Sequence, residues 1–266
     1  MRLSAIIFLL LTIFVLHVRG QYVKIKDSQL KNPSRVLSDE IGNYYVVQGS
    51  ELFKWNNRDT LFNRYSNLQY GDITIADVSN PLKILIYYKE FSRIVFLDNT
   101  LSDVKEDIDL QEIGLEQTTL VCTSYDNGLW IYNRIHFELI RFNKNMQELY
   151  RTSNLNLMLN VDFKPAYMVE KENKLYVSNP ASGIYCFDIF GGLERTIPIK
   201  GITKFQVMDT YLIYLENGVL RQYDMKKFED KALNTPLAKA LDFCISGRKL
   251  FLLEDNFLKV FRYSGE

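Results

Sequence analysis

The sequence predicts an all-β fold, a single β-propeller of six blades closed by its own N-terminal strand. Three observations carry that prediction. The first is a motif of Ile or Leu, two residues, then a large apolar residue and most often Asn or Asp. Its clearest copies are Ile184-Tyr-Cys-Phe187-Asp188 and Leu220-Arg-Gln-Tyr223-Asp224. Four weaker copies are Leu52-Phe-Lys-Trp55-Asn56, Ile94-Val-Phe-Leu97-Asp98, Leu129-Trp-Ile-Tyr132-Asn133 and Leu258-Lys-Val-Phe261-Arg262. The second is spacing: the last residues of the copies lie 42, 35, 55, 36 and 38 residues apart. A period of roughly 35–45 residues with several short strands per unit marks propeller blades. The third is strand character. Leu52 beside Phe53, and Ile184 beside Tyr185, are apolar on both faces, as a sheet stacked between two others requires. A one-sided β-sandwich would alternate more cleanly. The polar residue closing most copies (Asn56, Asp98, Asn133, Asp188, Asp224) suits a strand exit, because Asx side chains cap turns.

Residues 1–20, MRLSAIIFLLLTIFVLHVRG, read as a cleaved signal peptide. Arg2 supplies the positive start, Ala5–Val18 the apolar run, and Val18-Arg19-Gly20 the cleavage context. That run is shorter than the ~20 residues that span a bilayer, so the mature protein is expected in the periplasm and not spanning a membrane. Residues 21–266 are expected to form one propeller domain. They keep 30 basic against 32 acidic residues, a balance that argues against nucleic acid as a partner.

Tyr22–Lys26 (YVKIK) stands ahead of the first repeat, and the last repeat lacks an outer strand. The N-terminal strand is therefore expected to complete the C-terminal blade, since an open blade would leave unpaired backbone groups. Blade one is read as Val36–Ser66, with Tyr44–Gln48 and Glu51–Trp55 as a hairpin. Blade two is Ile73–Val104, with Lys83–Lys89 and Arg93–Leu97 as middle strands. Blade three begins at Thr118 and turns tightly at Asp126-Asn127-Gly128. After Tyr132 it carries extra chain, Asn133–Val161, before blade four opens near Pro165. The end of that insert alternates, which puts Leu155, Leu157, Leu159 and Val161 on one face of an extra strand. Blade five ends in Lys226–Pro236, an outer strand or a helical turn, and blade six runs from Ala238 to Tyr263.

Catalytic chemistry is sparse in this chain. His136 is the one histidine beyond the leader, too few for a His-rich zinc site, and no nucleophile motif accompanies it. Cys122, Cys186 and Cys244 sit in apolar strands and read as buried thiols. Ser124-Tyr-Asp126-Asn-Gly128-Leu-Trp130 faintly resembles the Asp-box of sialidase-type propellers, but the aromatic is one place early and the Thr is missing. A hairpin turn explains the same residues. Asp98, Asp188 and Asp224 could converge on a channel cation; turn capping is the preferred reading. No cofactor is expected.

The blades, the leader and the run Gly128–Leu155 together resemble a family of small periplasmic propeller-like proteins of Gram-negative bacteria, that of the PorD accessory component of the type IX secretion translocon. The resemblance covers residues 21–266 and carries no catalytic motif. It implies a non-enzymatic subunit docked beneath an outer-membrane translocon, with other envelope proteins as partners. The alternative is an envelope hydrolase or lyase acting on a sugar or lactone through channel carboxylates and a metal. For the first reading, the insert is the candidate partner surface, with Arg134, Phe137, Arg141, Phe142, Tyr150 and Arg151 as contact residues, since aromatics and Arg are the usual interface anchors.

Overall fold

The computed structural model describes residues 22–235 and 239–264. The segment read as a signal, residues 1–20, lies outside the described residues. Those described form six four-stranded antiparallel sheets. Blade one is β2 (Arg35–Ser38), β3 (Tyr44–Gln48), β4 (Glu51–Trp55) and β5 (Leu61–Ser66). Blade two is β6 (Ile75–Asp77), β7 (Ile84–Tyr88), β8 (Arg93–Leu97) and β9 (Ile108–Asp109). Blade three is β10 (Thr118–Thr123), β11 (Leu129–Asn133), β12 (Glu138–Phe142) and β13 (Glu148–Arg151), followed by a short helix, α1 (Leu155–Leu159). Blade four is β14 (Tyr167–Lys171), β15 (Lys174–Asn179), β16 (Gly183–Asp188) and β17 (Leu193–Ile197). Blade five is β18 (Phe205–Met208), β19 (Tyr211–Glu216), β20 (Val219–Asp224) and β21 (Glu229–Ala232). Blade six is β22 (Asp242–Ser246), β23 (Lys249–Glu254) and β24 (Phe257–Tyr263), completed by β1 (Tyr22–Gln29).

β1 is the strand that closes the ring. It pairs antiparallel with β24 from Tyr22↔Tyr263 to Gln29↔Phe257, with one irregularity between Lys24 and Lys26. The expected closure by YVKIK is thus observed, three residues longer than the sequence suggested. The Lys26 ammonium also donates to the Tyr44 hydroxyl (3.1 Å) and the Asp59 carbonyl (2.9 Å), so β1 touches blade one as well.

Six apolar clusters fill the six junctions between neighbouring blades. Successive residues of one strand serve opposite junctions. Tyr45 and Val47 pack toward blade two, whereas Tyr44 and Val46 pack toward blade six. This division follows from strand geometry, in which side chains alternate between faces. It is why the second and third strands carry apolar residues at nearly every position.

The third copy of the motif was placed one strand too early. In five blades it lies on the third strand, and its large apolar residue points to the preceding blade: Trp55, Leu97, Phe187, Tyr223 and Phe261. Tyr132 instead lies on the second strand and faces the following blade. The equivalent residue is Phe142, in Leu139-Ile-Arg-Phe142-Asn143, which faces the preceding blade. With Asn143 as the marker the two steps become 45 and 45 residues, and the enlarged blade disappears. Its supposed surplus is the ordinary third and fourth strands, plus α1.

That helix replaces the expected alternating strand. Asn154 caps it, accepting from Leu157 N at 3.1 Å, and Asn160 ends it in the left-handed region at φ 52°. Leu155 is buried while Leu157 is 81% exposed, so the two do not share a face. Of the segment Lys226–Pro236, whose last residue lies outside the described ones, Glu229–Ala232 is β21, an outer strand.

Candidate functional site

The first strand of each blade lines a central channel, and the antiparallel order assigns each turn to one end of it. Hairpins between first and second strands lie at one mouth. Entry loops and the second-to-third hairpins lie at the other. Two cavities, of 840 and 460 Å³, open at these ends and share walls at Leu37, Ala76, Val121, Tyr167 and Lys204.

Lys204 secures the narrow part. Its ammonium donates to both carboxylate oxygens of Asp242 (2.8 Å each), to the Phe243 carbonyl (2.8 Å) and to the Val36 carbonyl (2.7 Å). Blades five, six and one are thereby tied by one buried cation with four acceptors. Such a group is tolerated because its charge is paired and its donors are used. Tyr167 stands in the same wall, its ring edge-on to Phe205 at 5.1 Å.

The smaller mouth is edged by carboxylates from four blades: Asp39 and Glu40, Asp77, Glu172 and Asp209. The inner ones are occupied by their own turns. Asp39 accepts from the backbone of Ile41 and Asn43, the Asn43 amide and the Tyr45 hydroxyl. Asp77 accepts from Ser79 N and from both the backbone and hydroxyl of Thr123. Glu40 pairs with Lys171 at 2.7 Å, a bridge between opposite blades across this mouth. Among the described residues no group of three His, Cys, Asp or Glu side chains is placed to hold a metal ion.

Asp98, Asp188 and Asp224 do not converge on the channel. Each lies at the turn between third and fourth strands and accepts from backbone N–H groups two to four residues ahead. Asn56 and Asn143 do the same in blades one and three. The Thr100 hydroxyl first, and then the backbone N–H of Ser102, hold the Asp98 carboxyl below its usual range; for Asp224 the N–H groups of Lys227 and Lys226 do so. The capping reading is the correct one.

The six residues expected on one partner surface fall into three places. Arg134 and Phe137, in the second-to-third turn of blade three, line the larger cavity. That turn also seats α1, through Leu155 N to the Phe137 carbonyl (2.8 Å) and the Asn154 amide to the His136 carbonyl (3.0 Å). Arg141 and Phe142 are interior. Arg141 is 2% exposed, and its guanidinium donates to Ser124 Oγ (3.1 Å), Asp126 (2.8 Å) and the Ile189 carbonyl of blade four (3.3 Å) while facing the Tyr125 ring at 4.9 Å. Tyr150 and Arg151 lie on the outer strand of blade three. Arg151 bridges Glu138 and Glu148, and its hydrogen bonds hold the Glu148 carboxyl below its usual range.

The Asp-box-like run is a junction between blades. Glu170 of β14 accepts from Ser124 Oγ (2.6 Å), Tyr125 N (2.9 Å) and Trp130 Nε1 (2.7 Å). Asn127 takes the positive φ, 62°, that its turn needs. Gly128 is required for another reason: a Cβ there would lie 2.1 Å from the Phe142 carbonyl oxygen. The three cysteines are free and buried; desolvation raises their thiols above the ordinary range, Cys244 to about 12. They are packing groups rather than nucleophiles.

Sequence reasoning missed the exposed aromatic of blade four. Phe190, 58% exposed, meets the Tyr150 ring edge-on with centroids 5.0 Å apart, and Leu149 and Leu193 are exposed on the outer strands of the same two blades. Its signal was the turn Asp188-Ile-Phe190-Gly-Gly, where an aromatic occupies a position that polar residues usually fill.

No protein-family model matches the chain, and no curated protein matches it in sequence. Solved structures do resemble it in shape. Virginiamycin B lyase from Staphylococcus aureus is 10% identical, with TM-score 0.63 over 91% of this chain and 99% of the other. The WD40 domain of Neurospora crassa Pan2 is 7% identical, with TM-score 0.59 over 93% and 97%. BBS1N, solved in complex with ARL6DN, is 15% identical, with TM-score 0.56 over 86% and 77%. At such identities the likeness is one of fold, and the chain is a six-bladed β-propeller.

Proposed function

We propose that this propeller is a non-enzymatic scaffold of the periplasm, exported by residues 1–20, that binds other envelope proteins as an accessory subunit of an outer-membrane secretion complex. The observation that carries the reading is the outer edge of blades three and four. Tyr150 and Phe190 pair there in the open, and Leu193 of the neighbouring outer strand is exposed on the same side of blade four. Exposed aromatics are common interface anchors, and contiguous exposed apolar groups mark contact surfaces. BBS1N, similar in fold, was solved with a protein partner, which supports the same use of a propeller.

The likeness to virginiamycin B lyase favours the other reading, a hydrolase or lyase. Against it stands the engagement of the inner mouth carboxylates, Asp39 and Asp77, in their own turns and in contacts with neighbouring strands. Affinity purification of the tagged protein from its native envelope, with mass spectrometry, tests the scaffold reading. The double variant Tyr150→Ser, Phe190→Ser is expected to lose the co-purifying protein while keeping its circular dichroism. Undiminished recovery by the folded variant would remove this edge as the binding surface.

A further inference from the structure

The larger cavity combines an apolar wall with charge of one sign. Five of its lining residues are cationic, Arg35, Lys89, Arg134, Lys164 and Lys204, and none is acidic. Three of the five have carboxylate neighbours: Lys204 with Asp242, Lys164 with Asp162, and Arg35 facing Asp242 at 3.9 Å. Lys89 and Arg134 form no ion pair among the described residues, although Glu90 and Glu116 line a smaller adjoining cavity with them. Among the described residues the one side-chain hydrogen bond of Arg134 is to the Gln117 amide oxygen, 3.1 Å. The apolar wall includes Ile75, Leu120 and Phe163, with Ile135 exposed at the rim beside Arg134, and the Tyr167 hydroxyl makes no hydrogen bond among the described residues. Like any tyrosine it is a donor at neutral pH, and burial pushes its phenol further above the ordinary range. An apolar cavity of 840 Å³ with few, converging polar groups has the character of a small-molecule site.

We propose that this cavity binds an amphipathic carboxylate, its apolar body in the channel and its charged end between Lys89 and Arg134. Charge complementarity selects the anion, because a cation or a neutral head would leave both rim charges uncompensated. The apolar lining selects an amphiphile over an acidic polypeptide, which has no apolar body to bury there. The smaller mouth carries five carboxylates, Asp39, Glu40, Asp77, Glu172 and Asp209, against two lysines, Lys171 and Lys204, that are already paired, so it disfavours an anion and gives entry a direction.

Isothermal titration calorimetry with dodecanoate, below its micelle concentration, tests this on the whole protein. Dodecan-1-ol serves as the uncharged control and a decaglutamate peptide as the polymeric one. Dodecanoate is expected to bind more tightly than the alcohol, and more weakly as salt rises. The exposed double variant Lys89→Gln, Arg134→Gln is expected to keep its fold and lose roughly tenfold or more in dodecanoate affinity. Ala76→Leu, which narrows the shared wall, should weaken acid and alcohol alike. Absence of dodecanoate binding, equal binding of the alcohol, an unaffected double variant, or binding of decaglutamate alone would each overturn the proposal.

Discussion

Arg141→Ala separates a structural arginine from a binding one. The guanidinium is 2% exposed and reaches Ser124, Asp126 and the Ile189 carbonyl, so its removal breaks a tie between blades three and four. Removing one member of a buried ion pair costs about 3–5 kcal/mol. The Asp126 side chain is 31% exposed, so water recovers part of that loss. Glu170 keeps its bonds from Trp130 and Tyr125, so the truncation leaves no bare carboxylate there. The lower end of the range, about 3 kcal/mol, is therefore expected. For a chain of this size that lowers the melting midpoint by roughly 6–12 °C. Arg151→Ala is the internal comparison. Its side chain is 39% exposed, and such surface pairs are worth about 0–1 kcal/mol. Thermal unfolding followed by tryptophan fluorescence reads both, with Trp130 inside the affected junction. If Arg141→Ala melts with the wild type, or Arg151→Ala costs as much, the assignment of Arg141 to the interior is refuted.

Alkali should unfold the protein near and above the ordinary tyrosine range. Tyr44, Tyr45, Tyr87 and Tyr88 have phenols raised chiefly by burial, so the stability they lend is complete below the unfolded value of about 10 and lost as pH rises toward the folded ones; phenolate absorbance and loss of circular dichroism should rise together, and separate transitions would contradict this. Deleting residues 22–29 strips β24 of its partner along seven paired positions, so the truncated protein should self-associate on size exclusion; a stable monomer with unchanged melting would mean that β1 does not close the ring.

The repeats were legible because every blade needs the same things: apolar residues on both faces of its middle strands and an Asx cap after the third. That same uniformity misled in blade three. Leu129-Trp-Ile-Tyr132-Asn133 and Leu139-Ile-Arg-Phe142-Asn143 both satisfy the pattern, since second and third strands are buried alike. What separates them is the turn that follows. Asn143 accepts from residues two and four ahead, as Asp98 and Asp188 do, whereas Asn133 accepts only from Ile135. Even spacing was the available clue. Once Phe142 is the third-strand aromatic, Arg141 beside it must face the opposite junction, and its place in a partner surface is lost. The helix was illegible for a related reason. Alternation in Leu155–Val161 reads as a strand only while blade three lacks one, and β12 and β13 had already filled it.

The near-zero net charge conceals a polarity along the channel, and the origins of its two ends differ. Acidity at this end follows in large part from folding, Glu40, Glu172 and Asp209 apart: turns between first and second strands, and between third and fourth, draw on Asp and Asn to accept backbone N–H groups. Asp39, Asp77, Asp98, Asp188 and Asp224 are all engaged in this way. Those carboxylates would be present on this face whatever the protein bound. The cations at the larger mouth have no such duty. Lys89 and Arg134 cap no turn through their charged ends and neutralise no carboxylate among the described residues, yet two blades place them over one apolar cavity. Charge that the fold does not require is the better guide to a ligand, which is why the basic end carries the inference and the acidic end does not.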